Sequence, residues 1–437
     1  MKFRPLIIIS AMLLLSAACV AENNDAPAGI DVSHHNGKIT WKKVRNAGVD
    51  FVYVKATEGE TYTDSCFSDY FKGAKAAGLK VGAYHYFRMT SFVDGQFANF
   101  RKALKGLESD LRPMVDVETS DGKPVAEVRD SLRRFLSLIE NEYRVTPMIY
   151  ATNRSFNELC GNEFERYPKY IGRYGSEVPV IKGKSHYTVW QYSESGKISG
   201  VEKKVDLCRF HPDCGIDDIL WKELSLVEIE KKGDLVIYYP NFSRIDLVTG
   251  TMPLKTDKEV IFCCEAAFTG EKLTAFKHSN IAGHHVSSGT YYEGFHCGPN
   301  NGVFTWSKSG GWHFYNNGHK NSVTPLKTVA AKGGMGFCQS MLFCNGTQFK
   351  GCFKPEKENQ YRALCEIDGR LCIVDCARNI PFADFLSGLK SLGVRNAVYL
   401  DMGWGWNYSW YRKDDGAVKE IFTTPGKYTT NWITFYK

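Results

Sequence analysis

The first half of the chain alternates short apolar runs with amphipathic segments, a pattern that predicts strands followed by helices. Strands are predicted at 29–33, 51–56, 80–87, 112–118 and 147–151, and helices at 41–47, 67–77, 96–107 and 125–143. Strands that alternate with helices form parallel βαβ units, and five such strands in succession indicate a barrel. After residue 150 the predicted helices shorten while strands continue at 168–171, 188–192 and 205–210. The pattern therefore predicts an incomplete (β/α) TIM-like barrel, with a full helical layer on one side and a thin one on the other.

The pattern changes near residues 221–233, where a charged stretch precedes short strands and glycine-rich turns that continue to about residue 360. A helix is predicted at 381–392, followed by a strand at 396–401. These elements favour a second domain of mixed α/β (α+β) class. The predicted boundaries are 28–224 for the barrel, 225–234 for a linker and 235–437 for the second domain.

The N-terminus has the pattern of an export signal. Lys2 and Arg4 precede an apolar run at 6–15, which is too short to span a bilayer, and small residues follow it. We expect a signal peptide at 1–21 and a linker at 22–27. Cys19 stands where a bacterial lipoprotein carries its acylated cysteine, and simple cleavage after Ala21 is the alternative. The expected location is the cell envelope, periplasmic or outer-membrane associated, or the medium, with membrane contact only through the lipid anchor.

Composition narrows the function classes. The chain has 55 basic and 48 acidic side chains, a net charge of +7, without the clustered basic runs of a nucleic-acid-binding protein. Hydrophobic residues make up 43% of the chain and charged residues 24%, which excludes a mainly disordered protein. Nine Trp and 23 Tyr suit carbohydrate platforms, although large cores account for them equally well. No paired CxxC motif occurs among the 14 Cys, so a structural zinc is not expected. The first half shows no metal-ligand cluster either, and no metal or cofactor is expected.

Four acidic residues fall on or at the ends of predicted barrel strands: Asp31, Asp116, Glu118 and Asp206. Active sites of such barrels collect at the strand C-termini. Residues i and i+2 of a strand face the same side, so Asp116 and Glu118 enter one cavity with their stems ~6.6 Å apart. Two carboxyl groups this close in a partly desolvated site cannot ionise equally, which provides an acid and an anion at neutral pH. Glycosidic cleavage requires this pairing. A surface Asp-x-Glu on a loop is the alternative.

Five motifs carry a family resemblance: DVSHHNG (31–37), FVYVKATEG (51–59), GAYHY (82–86), PMVDVE (113–118) and WQYS (190–193). In order and spacing they resemble glycoside hydrolase family 25, the Chalaropsis-type lysozymes, over roughly residues 28–222. The resemblance implies an incomplete (β/α) barrel and an N-acetylmuramidase. Such an enzyme cleaves the β-1,4 bond between N-acetylmuramic acid and N-acetylglucosamine in peptidoglycan glycan strands.

The resemblance also implies roles for individual residues. Glu118 matches the general acid, and Asp116 matches the partner that assists the 2-acetamido group of the substrate. A direct protein nucleophile stays open as the alternative to acetamido participation. Asp31 and Asp206 match the other two acids of the site. The expected substrate-binding residues are Tyr84, Tyr150, Trp190 and Gln191.

The second half resembles phosphodiester glycosidase domains, similar to the enzyme that uncovers mannose 6-phosphate. The motifs are CCEAAF (263–268), YRALC (361–365), LCIVD (371–375) and LGVRNAVYLD (392–401). The resemblance implies that Arg362 clamps a phosphodiester and that Glu265 and Asp401 lie at the same site. Trp404 and Trp406 stand where that family has a Gly-rich loop ending in Ser. The partner is therefore a second glycan or a sugar phosphodiester, which this half either binds or cleaves.

Three functions follow for the whole chain. An exported peptidoglycan hydrolase agrees with the four acids and the motifs. The alternative is a binding protein rather than an enzyme, namely a non-catalytic cell-wall-binding lipoprotein. The third places the main activity on a phosphodiester in the second half.

Overall fold

The computed structural model describes residues 27–268, 281–294, 301–316, 323–349, 358–402, 408–423 and 431–437. The expected export signal, Cys19 and the segment with Trp404 and Trp406 lie outside these residues. Among the described residues, no helix is both long enough and apolar enough to cross a membrane.

One sheet takes up the first half of the chain. Its strands are β1 (Gly29–Val32), β2 (Phe51–Glu58), β3 (Tyr62–Thr63), β4 (Lys80–Tyr86), β5 (Met114–Asp116), β6 (Met148–Thr152), β7 (Lys169–Gly172), β8 (Val189–Gly196) and β9 (Val205–Phe210). The helices are α1 (Trp41–Asn46), α2 (Phe67–Ala76), α3 (Val93–Leu104), α4 (Val125–Tyr143) and α5 (Asn153–Ser155), with a π-helical turn at Phe156–Cys160 and 3₁₀ turns at His34–Asn36 and Ile216–Asp218. The strands and helices predicted for this half are confirmed, with shifts of a few residues at their ends.

The strands close into a ring in the order β1-β9-β8-β7-β6-β5-β4-β2, because β1 also pairs with β2. The predicted barrel is confirmed, and its incompleteness lies in the helical layer rather than in the strands. Strand β9 runs antiparallel to both β8 and β1. Only residues 197–204 separate β8 from β9, whereas a parallel crossover needs a dozen or more residues.

Alternate residues of the strands feed two separate cores. An inner core fills the barrel and includes Tyr53, Met114 and Tyr170. An outer core lies between the strands and the helices and includes Val54 and Val115. Helix α4 contributes a stripe at helical spacing to the outer core: Val128, Leu132, Phe135, Leu136 and Ile139.

The residues after 226 form two further sheets. The larger contains β10 (Val227–Lys232), β11 (Leu235–Pro240), β14 (His285–Ser287), β15 (Thr290–Tyr292), β16 (Asn301–Ser307), β17 (Gly311–Asn316), β18 (Met335–Cys344), β19 (Thr347–Gln348), β20 (Arg362–Ile367), β21 (Arg370–Cys376) and β22 (Asn396–Leu400). The smaller contains β12 (Arg244–Thr249), β13 (Val260–Glu265), β23 (Tyr408–Arg412), β24 (Val418–Thr423) and β25 (Asn431–Tyr436). The helices are α6 (Val323–Ala331) and α7 (Phe382–Ser391). All the strand pairs described here are antiparallel, as in an α+β arrangement.

The segment 225–234, predicted as a linker, is built into the larger sheet. Strand β10 pairs antiparallel with β11 from Val227 to Lys232. A two-residue turn joins them, and Gly233 takes a φ of 59° there, which glycine adopts without strain. The alternation of apolar and charged residues in VEIEKK is a strand pattern, which the charge of the segment obscured.

The described cysteines are free thiols, eleven in number. Cys263, Cys264, Cys365, Cys372 and Cys376 are buried in strands, where they pack as small hydrophobic side chains.

Candidate active site

The four acids predicted from the sequence meet inside one end of the barrel. Asp116 is the last residue of β5, and Glu118 follows two residues later. Asp31 lies one residue before the end of β1. Asp206 is the second residue of β9. Because β9 runs antiparallel to β1, the beginning of β9 lies at this same end of the barrel, and Asp206 pairs with Asp31 in the strand register. All four therefore reach the C-terminal mouth of the parallel strands, where barrel active sites form.

Asp116 and Glu118 lie on the inner face of the sheet, as their spacing predicts. Val115, which precedes Asp116, and Val117, which lies between the two acids, belong to the outer core, whereas Met114 belongs to the inner core. The main chain here is held on both sides, because Phe87 N donates to Asp116 O over 2.9 Å and Val117 N donates to Tyr150 O over 2.8 Å. The two carboxyl groups thus share one cavity on a rigid strand end.

The Asp116 carboxyl is the more enclosed member of the pair. Its residue is 6% exposed, and its Oδ1 has no hydrogen-bond partner among the described residues. Burial, followed by the negative charge of Glu118, raises the pKa of Asp116 well above its usual range. An oxygen left unpaired in a desolvated cavity is available to a ligand.

The Glu118 carboxyl is partly open to solvent and has a hydrogen-bond donor. Burial raises the pKa of Glu118, while the hydroxyl of Tyr86, 3.3 Å from Oε2, acts in the opposite direction. The Tyr86 ring lies between two cations, Lys55 at 5.0 Å and Arg88 at 4.6 Å from its centroid. Sequence reasoning missed Tyr86, although its position two residues after Tyr84 on the same strand face was a usable signal.

Lys55 and Arg88 are held in turn by Glu58. Lys55 Nζ lies 2.7 Å from Glu58 Oε2, and Arg88 Nη2 lies 2.6 Å from Glu58 Oε1. These contacts outweigh the desolvation of Glu58, so its pKa is lowered. Asp121 accepts from Arg88 as well, at 3.3 Å. The group places the two positive charges of Lys55 and Arg88 beside Glu118.

Asp31 is the centre of a hydrogen-bond network inside the barrel. Gln191 Nε2 donates to Asp31 Oδ1 and Oδ2 over 3.1 and 2.9 Å, and Tyr170 donates to Oδ2 over 2.9 Å. Tyr150 donates to Gln191 Oε1 over 2.7 Å, which fixes the orientation of the amide. Gly172 leaves room for this bond, since a Cβ there would lie 2.8 Å from the Tyr150 hydroxyl. Gln191 and Tyr150 thus join the acids as expected, and Tyr170 is an addition.

Asp206 and Tyr84 complete the cluster. Burial, followed by the charge of Asp31 and a hydrogen bond with it, raises the pKa of Asp206 to about 9. The pKa of the Tyr84 hydroxyl is raised well above its usual value by burial and by the charges of Asp31, Asp116 and Asp206. Tyr84 is therefore electrostatically close to three of the four acids.

Trp190 lies elsewhere. It precedes Gln191 on β8 and faces the opposite side of the sheet, where it is 4% exposed in the outer core. Its Nε1 donates to Arg173 O over 2.7 Å, and Arg209 lies 5.0 Å from its ring. The structure does not bring Trp190 together with the acids, because strand residues alternate between faces.

The three residues predicted in the second half lie near one another, but Arg362 is already engaged. Arg362 is fully buried and binds Asp375 through two bonds, from Nε to Oδ1 over 2.6 Å and from Nη2 to Oδ2 over 2.8 Å. Its Nη1 lies 3.5 Å from Glu265 Oε2. The fork of Arg362 is thus filled by a carboxylate of its own chain rather than open to a phosphodiester.

Glu265 and Asp401 lie beside this pair. Burial raises the pKa of Glu265 to about 8, with Arg362 opposing the rise and the charge of Asp401 adding to it. Asp401 directly follows the last residue of β22, and its N–H donates to Ala266 O over 3.0 Å. These residues form a buried charged cluster.

A closed barrel with two carboxyl groups on one inner face, one buried and unpaired and the other partly open, has the chemical parts of a glycoside hydrolase. The comparisons with known proteins agree with this class. The sequence model of the family described as "Glycosyl hydrolases family 25" matches residues 30–201. Lysozyme M1 of Streptomyces globisporus is 32% identical over 197 residues, 42% of this chain and 67% of that protein. The chain therefore belongs to glycosyl hydrolase family 25.

Two further proteins are similar to part of this chain. The autolytic lysozyme of Clostridium acetobutylicum is 33% identical over 182 residues, 42% of this chain and 55% of that protein, so the chain spans about half of its length. Among solved structures, the bacterial lysozyme from Streptomyces coelicolor is 30% identical, with a TM-score of 0.41, over 44% of this chain and 94% of that one.

Proposed function

We propose that the barrel is an N-acetylmuramidase that cleaves the β-1,4 bond between N-acetylmuramic acid and N-acetylglucosamine in peptidoglycan. The observation that carries the proposal is the pair Asp116 and Glu118, which share the inner face of the barrel mouth and both have raised pKa values. The relatives support it, since they include proteins named autolytic lysozyme and lysozyme M1.

Glu118 acts as the general acid. Its raised pKa extends the pH range in which the carboxyl group carries a proton, and its partial exposure lets that proton reach the leaving oxygen of the glycosidic bond. Since the charge of Glu118 raises the pKa of Asp116, the two carboxyls are coupled and readily hold one proton between them.

Asp116 assists as the anion of the pair. Its unpartnered Oδ1 can accept a hydrogen bond from the N–H of a 2-acetamido group, which turns the acetamido oxygen toward the anomeric carbon. Burial is the main cause of the raised pKa of Asp116 and the charge of Glu118 adds to it, so protonation of Glu118 removes the second contribution, and the charge of Lys55 favours the Asp116 anion. Asp31 and Asp206 hold sugar hydroxyls or water, and Tyr84, Tyr150 and Gln191 shape the groove.

Digestion of purified murein by the intact protein tests this function. Mass spectrometry should find muramic acid at the new reducing ends of the soluble products. Glu118→Gln should reduce the release of those ends by at least about 100-fold, the contribution of a general acid. Glu127→Gln, an exposed glutamate on α4, is the matched control and should cleave like wild type. Binding of murein without new reducing ends by the wild type would favour the non-catalytic wall-binding protein instead.

For the second half we propose binding of a wall glycan or sugar phosphodiester rather than its cleavage. The filled fork of Arg362 argues against cleavage at this residue, because the guanidinium that would clamp the reacting phosphodiester is occupied by Asp375. Full-length Glu118→Gln protein should sediment with sacculi that carry anionic polymers and less with sacculi stripped of them. Release of sugar from a phosphodiester substrate by that variant would place a second activity in this half.

We further propose that the protein is exported and anchored by a lipid at Cys19. The basic start and the short apolar run of the first residues support this location. Wild-type protein should fractionate with membranes and Cys19→Ser should not. Equal fractionation of the two would leave cleavage after Ala21 as the processing route.

A further inference from the structure

We propose that His186, His211 and Cys214 form a binding site for a thiophilic divalent metal ion, with Zn²⁺ as the ion that best fits the donor set. The donor atoms of these three side chains all lie within 4.8 Å of one another. No CxxC motif marks the site, and its ligands are a histidine before β8 and an H-x-x-C pair directly after β9. The distance in sequence between these two segments explains why the sequence analysis expected no metal.

The site lies at the end of the barrel opposite the acids. Strand β9 begins next to Asp206 and ends at Phe210, so His211 is about 17 Å from Asp206 at about 3.4 Å per strand residue. Its ligands therefore play no part in the carboxyl cluster.

The backbone holds the two ligand segments together. Val189 of β8 pairs with Phe210 of β9, and His211 N donates to Thr188 O over 3.0 Å. A turn then returns Cys214 toward His211, whose carbonyl accepts from Cys214 N over 2.9 Å. The sheet register itself thus brings the ligands to one place before any ion binds.

The side chains are close to the geometry that a tetrahedral ion needs. His186 Nε2 lies 3.2 Å from Cys214 Sγ, and the rings of His186 and His211 are stacked with centroids 4.3 Å apart. Zinc bonds of about 2.0–2.1 Å to nitrogen and 2.3 Å to sulfur place tetrahedral ligands about 3.3 to 3.6 Å apart. Side-chain rotations that bring the more distant donor atoms about 1 Å closer together are enough to complete the site.

The donor chemistry and the surroundings favour a soft divalent cation. Two imidazoles and one thiolate suit Zn²⁺ or copper rather than Mg²⁺ or Ca²⁺, which prefer oxygen. His211 Nδ1 accepts from Asp213 N over 3.2 Å, so binding of an ion through Nε2 requires the His211 proton to move to Nδ1, and the Asp213 carboxylate, 3.7 Å from Nδ1, would accept it after a small rotation. His186 is exposed, which leaves a fourth position for water. The ion would tie the segment before β8 to the segment after β9.

Metal titration of the full-length, reduced and chelator-treated protein tests the site. One Zn²⁺ per chain should bind by calorimetry and raise the melting temperature, because a ligand that binds only the folded state stabilises it. Co²⁺ as a probe should give a thiolate-to-cobalt charge-transfer band. His186→Ala and Cys214→Ser should each weaken Zn²⁺ binding by more than the about 10- to 100-fold that loss of a second-shell partner costs.

His313→Ala and Cys344→Ser are the matched controls, since both residues lie in the second half and should leave binding unchanged. Zn²⁺ affinity and stoichiometry equal in wild type and in Cys214→Ser would overturn the proposal. A Co²⁺ complex of the wild type without a sulfur charge-transfer band would also overturn it, and that measurement needs no variant. In either case the three side chains would be a stacked imidazole pair with a thiol hydrogen bond.

Discussion

The Tyr86 hydroxyl donates to Oε2 of Glu118 over 3.3 Å, so the proposed general acid has a neighbour that stabilises its ionised form. This contact opposes burial, which raises the pKa of Glu118. Lys55 and Arg88 flank the Tyr86 ring and keep it in place. Tyr86 therefore tunes the pH range over which Glu118 keeps its proton.

Replacement of Tyr86 by Phe should move the alkaline limb of the activity profile to higher pH. Loss of the hydroxyl removes a donor to the carboxylate, so the pKa of Glu118 rises and the protonated acid persists further. The expected shift of kcat/KM is about 0.5 to 1 pH unit, the equivalent of one modest hydrogen bond. Murein cleavage measured from pH 4 to 9 gives the profile.

Tyr187→Phe, at the opposite end of β8, provides the control for this shift. Its profile should overlay that of the wild type. An alkaline limb of Tyr86→Phe that stays in place or moves to lower pH would show that Tyr86 does not set the pKa of Glu118.

Replacement of Asp206 by Asn should stabilise the protein at neutral pH and not in acid. The pKa of Asp206 is raised from 3.8 to about 9 in the folded state, mainly by burial. A raised pKa means that folding favours the protonated form, so this group's contribution is complete below about pH 3.8 and is lost as the pH rises toward 9. An amide cannot ionise and escapes this loss.

The measurement is the melting temperature of Asp206→Asn and wild type at several pH values. The variant should melt higher at pH 8, and the difference should shrink steadily toward pH 4. Asp213→Asn, whose side chain is exposed, is the control and should show no such trend. A constant difference across the range would contradict the raised pKa of Asp206.

Replacement of Gln191 by Ala should destabilise the barrel through Asp31. The change removes two hydrogen bonds to a buried carboxylate and also leaves the Tyr150 hydroxyl without its acceptor. Buried groups left unsatisfied cost about 1–3 kcal/mol of unfolding free energy. Urea denaturation measures the loss.

A double-mutant cycle with Asp31→Asn assigns this effect to the Gln191–Asp31 contact. Since the two side chains touch, their coupling energy should exceed about 0.5 kcal/mol. Additive losses would mean that Gln191 stabilises the barrel by packing alone.

The alternation of strands and helices predicted the barrel because the first five predicted strands are continuous and apolar, and a helix separates each of them from the next. The same pattern could not reveal the direction of β9, which depends on how short its connection from β8 is. The charge of Val227–Lys232 indicated a linker. The alternation of apolar and charged residues in VEIEKK is instead that of a strand, and this strand pairs with β11.

Strand periodicity made the positions of site residues predictable, whereas residue type alone was a weaker guide. Asp116 and Glu118 share a face because they are two residues apart. Trp190 was chosen as an aromatic of a matching motif, yet its neighbour Gln191 takes the inner face and Trp190 the outer one. Tyr86 and the cluster of His186, His211 and Cys214 depend on contacts between distant segments, which a single sequence does not show.

Disruption of the Arg362–Asp375 pair should have a large effect on folding. Both side chains are buried, and two short hydrogen bonds join them, so Asp375→Ala leaves the guanidinium without its main counter-charge. Loss of one partner of a buried ion pair costs about 3–5 kcal/mol of unfolding free energy.

The exposed pair Arg378–Asp234 has similar paired bonds, and Asp234→Ala should change stability little because water solvates both charges. Chemical denaturation of both variants, followed by tryptophan fluorescence, makes the comparison. Equal and small losses would show that Arg362 is not held mainly by Asp375, and the guanidinium would then be available to an anionic ligand after all.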